Sequence, residues 1–78
     1  MYAYSQHKIE PHVIALDDGS GFVTDVIHVW QGDLVTEFFP RPVIAFATKN
    51  EALAAAITVG CQVIDRGYDS TYNPYVQK

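Results

Sequence analysis

The sequence predicts an α+β domain: a three- or four-stranded antiparallel sheet packed by one C-terminal amphipathic helix, in β-β-β-α order. Three observations carry this. Two β-rich runs flank a Gly32-Asp33 turn, residues 48–66 form a helix with both start and stop signals, and 78 residues suffice for one domain but not two.

Residues 12–16 (His-Val-Ile-Ala-Leu) read as a short strand ending at the dense turn signal Asp17-Asp18-Gly19-Ser20-Gly21. Residues 22–30 follow as the second strand, where Val23, Thr24, Val26, Ile27 and Val29 are β-branched and Phe22 and Trp30 are aromatic. Glycine at the first position of Gly32-Asp33 suits a two-residue type II′ hairpin. Residues 34–39 form the third strand, and Pro40-Arg41-Pro42 stops it because proline supplies no ladder donor.

This hairpin fixes a register in which Trp30 faces Val35, His28 faces Glu37, Val26 faces Phe39, Ile27 faces Phe38 and Val29 faces Thr36. Strand alternation then puts Val23, Ile27, Val29, Leu34 and Phe38 on one face, interrupted by Asp25 and Thr36. The opposite face takes Phe22, Val26, Trp30, Val35 and Phe39, together with the His28–Glu37 pair. One helix covers one face, and the first set is assigned to it. Residues 43–47 read equally well as a fourth strand or as an extended approach to the helix.

Thr48-Lys49-Asn50-Glu51 has the spacing of a capping box, and Glu51 complements the positive end of the helix dipole. Leu53, Ala56, Ile57, Gly60, Val63 and Ile64 form an apolar stripe, widened by Ala52 and Val59, with Thr58, Gln62 and Asp65 opposite. Gly67 is the natural residue just past the helix end, after Arg66. Gly60 costs about 1 kcal/mol of helix propensity, so its place on the stripe suggests close approach to the sheet. The chain thus divides into an N-terminal extension (1–11), one domain (12–67) and a tyrosine-rich tail (68–78).

Composition narrows the function classes. At 49% hydrophobic residues the chain is expected to fold. A single cysteine, Cys61, excludes an internal disulfide framework and fits a reducing, cytoplasmic setting. No apolar run approaches the roughly 20 residues that span a bilayer, and the first residues lack a signal-peptide pattern, so a soluble protein without membrane partners is expected. Residues 12–40 carry Asp17, Asp18, Asp25, Asp33 and Glu37 and no Lys or Arg, the reverse of the basic stripe that nucleic-acid binding needs.

Gly21-Phe22 opening a strand, and Phe46-Ala47-Thr48-Lys49-Asn50-Glu51-Ala52 opening a helix, followed by Ala55-Ala56 and Ile64-Asp65, resemble small bacterial domains of unknown function built as a strand meander plus one helix. The resemblance spans roughly residues 12–67. It implies a three-stranded antiparallel sheet packed by a helix, somewhat like a double-stranded-RNA-binding domain without its first helix, and it implies no activity. The lysines that such RNA-binding domains carry at the start of the second helix are not matched, since Lys49 stands alone.

Several residue groups bear chemistry, and each has a plainer explanation. His28 and Glu37 have the makings of an acid–base pair, but a solvated cross-strand polar pair worth up to about 1 kcal/mol is the favoured explanation. His7, His12 and His28 match no metal-ligand spacing. Asp17 to Gly21 lacks the cation-loop spacing and closing glutamate, and its aspartates oppose phosphate. Cys61 lies mid-helix, away from the terminus that would activate a thiol. The tyrosines (Tyr2, Tyr4, Tyr68, Tyr72, Tyr75) lack the interleaved cations of a base-stacking platform. No catalytic, cofactor or metal residues are therefore assigned.

The second sheet face (Phe22, Val26, Trp30, Val35, Phe39) is the candidate interaction site, because a bare apolar face marks an interface unless the terminal tyrosines cover it. The expectation is a non-enzymatic module that pairs with itself or another protein through that face or the sheet edge. A nucleic-acid-associated domain using Arg41 and Lys49, and a small ligand binder or enzyme using His28 and Glu37, are the alternatives.

Overall fold

The computed structural model describes residues 1–68. It shows a four-stranded antiparallel meander, β1 (Tyr2–Tyr4), β2 (His7–Ala15), β3 (Phe22–Gln31) and β4 (Leu34–Phe38), followed by one helix, α1 (Lys49–Asp65). Strand order in the sheet is β1-β2-β3-β4. The α+β class and the C-terminal helix are as expected.

The fourth strand comes from an unexpected place. Residues 43–47 form no strand; Phe46 makes one isolated bridge to Phe22, closed by reciprocal N–H···O bonds of 2.8 Å. The N-terminal residues, read as an extension, instead form β1 and the first half of β2. Their two-residue turn places Ser5 and Gln6 at φ 49° and 63°, a conformation that hairpins usually give to Asn-Gly. Pro11 sits within β2, where β1 has already ended opposite Ile9. Proline is tolerated there because the outer side of β2 lacks a partner strand.

The β3–β4 register matches the predicted one at Ile27–Phe38, His28–Glu37, Val29–Thr36 and Trp30–Val35. Gly32 takes φ 61°, as the first position of a type II′ turn requires. The β2–β3 ladder contains a bulge: His12 pairs Val26 and Val13 pairs Thr24, so Asp25 has no opposite number. One extra residue reverses the alternation beyond it. Thr24 consequently joins Ile27 beneath the helix, and Phe22 meets Phe46 on that same side, while Val23 pairs Ile14 on the other. The face assignments of Phe22 and Val23 are thereby exchanged relative to simple alternation. Gly21, at φ 147°, leaves room for the Phe46 backbone: a Cβ there would lie 2.6 Å from the Phe46 carbonyl oxygen.

The capping box is present: the Thr48 hydroxyl accepts from the Glu51 N–H, and the Glu51 carboxylate accepts from the Thr48 N–H, both at 3.1 Å. At the other end, the Tyr68 N–H donates to Val63 and the Gly67 N–H to Ile64. This is the Schellman pattern, with Gly67 at φ 63°. The helix rests on β2 and β3. Its central ridge is made of small residues, Ala52, Ala56 and Gly60, all buried. The ridge lets the backbone come close enough that a Cβ on Gly60 would stand 2.8 Å from Ile9 Cγ2. Ile9, Ile27 and Val29 are the largest fully enclosed side chains, each worth about 1.5–3 kcal/mol of burial.

Candidate functional site

Cross-strand partners share a face, so β2 determines what the uncovered face presents. The rows on that face are Lys8–Trp30–Val35 and Glu10–His28–Glu37, with His12–Val26 beyond. Polar residues from β2 therefore alternate into a surface that β3 and β4 alone would make apolar.

The rows are tied together. The Trp30 indole N–H donates to Glu10 Oε1 at 3.1 Å. His28 Nε2 bonds Glu37 Oε2 at 2.9 Å, and its Nδ1 stands 3.7 Å from Glu10 Oε1, too long for a direct hydrogen bond. His12 Nδ1 lies 3.5 Å from Asp25, because the bulge turns Asp25 outward. His28 and Glu37 are thus brought together as predicted. They lie on an open face, and neither of the two clefts described below includes them. Among the described residues, no group of three or more His, Cys, Asp or Glu is arranged to hold a metal. The Asp17–Gly21 segment is a turn in which Asp18 accepts the Ser20 N–H at 2.9 Å. Bonds from Ser20 hold its carboxyl below the usual range.

Of the residues assigned to the bare face, Val35 and Phe39 are exposed, at 44% and 52%. Trp30 is half-buried and anchored by Glu10, Val26 is buried, and Phe22 has moved to the helix side. The exposed apolar surface lies mainly along β4 and just after it: Leu34 (75%), Val35, Phe39, Val43 and Ile44. The helix rests on β2 and β3, and this explains why Leu34 stays bare on the helix side.

Among the described residues, no tyrosine covers the open face: Tyr2 pairs with Ile9 and Tyr4 with His7, on the helix side. The Tyr4 hydroxyl donates to both Asp65 carboxylate oxygens, at 2.8 and 2.9 Å, on the helix side. Tyr68 packs edge-on against Phe38 with ring centres 5.9 Å apart. Tyr72 and Tyr75 lie outside the described residues. Burial, reinforced by the Asp65 carboxylate, pushes the Cys61 thiol up, which fits a structural cysteine.

Two clefts lined by described residues flank the sheet. One of about 260 Å³ lies between β3, the helix and the segment after β4, lined by apolar groups such as Ile27, Pro40, Phe46 and Val59. Arg41 at its rim donates to the Pro40 carbonyl at 2.6 Å. Its volume falls below the roughly 300 Å³ at which ligand pockets begin. The other, of about 280 Å³, lies by Lys8, Trp30 and Gly32.

Sequence reasoning missed Glu10, which organises the open face. The signal was present: in His7–Ala15, Lys8, Glu10 and His12 alternate with Ile9 and Val13, a period-2 pattern obscured by Pro11.

No protein-family model matches the chain, and neither the curated proteins nor the solved structures contain a match. Among the described residues, no helix is long and apolar enough to cross a membrane.

Proposed function

We propose that this domain is a non-enzymatic protein-interaction module that self-associates through the β4 side of its sheet. The observation that supports this is a five-residue strand edge on which Glu37 is the one guarding charge. Strand edges are normally protected by shortness, proline, lysine or bulges. The β1 edge is three residues long, and the part of β2 beyond it carries Pro11. By contrast β4 has five residues, Leu-Val-Thr-Glu-Phe, without proline or lysine. No strand among the described residues pairs with its outer side. Exposed Leu34, Val35 and Phe39 flank that edge, so its backbone donors and acceptors come with apolar surface to desolvate them.

Sedimentation velocity at micromolar concentration tests the reading. A dimer or larger species is expected, and replacing Val35 with lysine should shift it toward monomer. A strict monomer across the concentration range would remove the proposal.

A further inference from the structure

The geometry points to a second copy of this chain as the occupant of the β4 edge, in one register: an antiparallel β4–β4 pair centred on Thr36 that joins two sheets into one of eight strands. This rests on the self-association reading above and specifies it.

The register follows from hydrogen-bond parity. A two-residue hairpin closes on a hydrogen-bonded pair, here Gln31–Leu34. Hydrogen-bonded and non-bonded pairs then alternate along the ladder. Leu34, Thr36 and Phe38 therefore direct their backbone groups toward β3, while Val35 and Glu37 direct theirs outward. A neighbouring copy must exchange its bonds with Val35 and Glu37.

Three two-fold centres are close at hand, and side chains choose between them. Centring on Glu37 opposes two carboxylates directly, which is destabilising. Centring on Val35 sets Glu37 against Asp33 of the partner subunit, again two acids. Centring on Thr36 opposes Val35 with Glu37 in hydrogen-bonded pairs. It also sets Thr36 against its own symmetry mate, and Leu34 against Phe38, in the closer non-bonded pairs. No like charges stand directly opposite one another, and the two Glu37 carboxylates are only diagonal neighbours, about 7–8 Å apart. Leu34, 75% exposed in the single chain, gains an aromatic partner next to Tyr68, which already packs on Phe38. The helix rests on β2 and β3, and this leaves the helix side of β4 open to receive Leu34 of the partner.

Cysteine cross-linking in the full chain reads the register. In a Cys61→Ser background, Thr36→Cys should give a covalent homodimer under oxidised glutathione. Non-bonded antiparallel partners have Cα atoms about 4.5 Å apart, within the disulfide range of about 4.4–6.8 Å. Val35→Cys and Glu37→Cys should each fail alone, because those residues sit about 7–8 Å from their own symmetry mates. Mixed together, the two should cross-link, and this arm does not depend on substituting Thr36. A sedimenting dimer in which Val35→Cys or Glu37→Cys links to itself, or in which the mixture does not link, overturns the register and leaves self-association standing. A monomer at every concentration overturns both.

Discussion

Gly60→Ala pits two effects of comparable size against each other, and the structure decides which prevails. An alanine in a helix interior is favoured over glycine by about 1 kcal/mol. Against this, the added methyl would stand 2.8, 3.0 and 3.3 Å from Ile9 Cγ2, Cδ1 and Cγ1. Ile9 is fully enclosed, and its branched Cβ stiffens χ1, so the clash cannot be relieved by swinging a chain end into solvent. Overpacking of this kind costs about 1–3 kcal/mol. The expected net result is destabilisation by about 1 kcal/mol, read as a lower urea midpoint by Trp30 fluorescence with unchanged slope. Ile9→Ala removes all three clashing atoms at a cost of about 2–5 kcal/mol. In that background Gly60→Ala should reverse sign and stabilise, because the propensity gain survives and the methyl partly fills the space. A stabilising Gly60→Ala in the native background would refute the claim that helix and sheet touch at this point.

Two further outcomes test the ends of the helix. Thr48→Ala removes the hydroxyl half of the capping box and should cost about 1 kcal/mol in thermal unfolding, with Thr48→Ser restoring most of it. The bond to Asp65, with a lesser contribution from burial, raises the Tyr4 phenol above the ordinary 10.0. A group with a raised folded value contributes stability that is intact below pH 10 and lost as pH climbs through that raised value. Alkaline unfolding of Tyr4→Phe should therefore lose part of that steepness, and its ultraviolet titration should lack one late-ionising tyrosine.

What the sequence made legible, it made legible through local chemistry. The helix announces itself by Thr48, Glu51 and Gly67, each acting within four residues of its partner. The β3–β4 register follows from one turn whose glycine leaves little choice. The errors came from features whose meaning is set at a distance or disguised. Ser5-Gln6 lacks the Asn-Gly signature, although it takes the positive φ angles. Pro11 reads as a breaker until one sees that β1 stops short of it. The bulge at Asp25 cannot be extracted from alternation, because a pattern of Val, Thr, Asp and Val fits either phase. For the site, the pairing of His28 with Glu37 is readable, and of the five residues assigned to a bare face (Phe22, Val26, Trp30, Val35, Phe39) only Val35 and Phe39 are exposed. The polar character of the open face was not readable, since Glu10 belonged to a strand that went unrecognised.

The contact between Ile9 and Gly60 also sets a timetable. Ile9 leaves the ribosome long before Gly60 does, and Tyr4 precedes its acceptor Asp65 by 61 positions. Contacts this far apart pay their loop-closure entropy before any reward arrives. The inner surface of the four strands is covered only when the helix docks on it. A chain truncated within residues 49–65 would therefore carry all four strands but lack the helical residues that enclose Ile9, Ile27 and Val29.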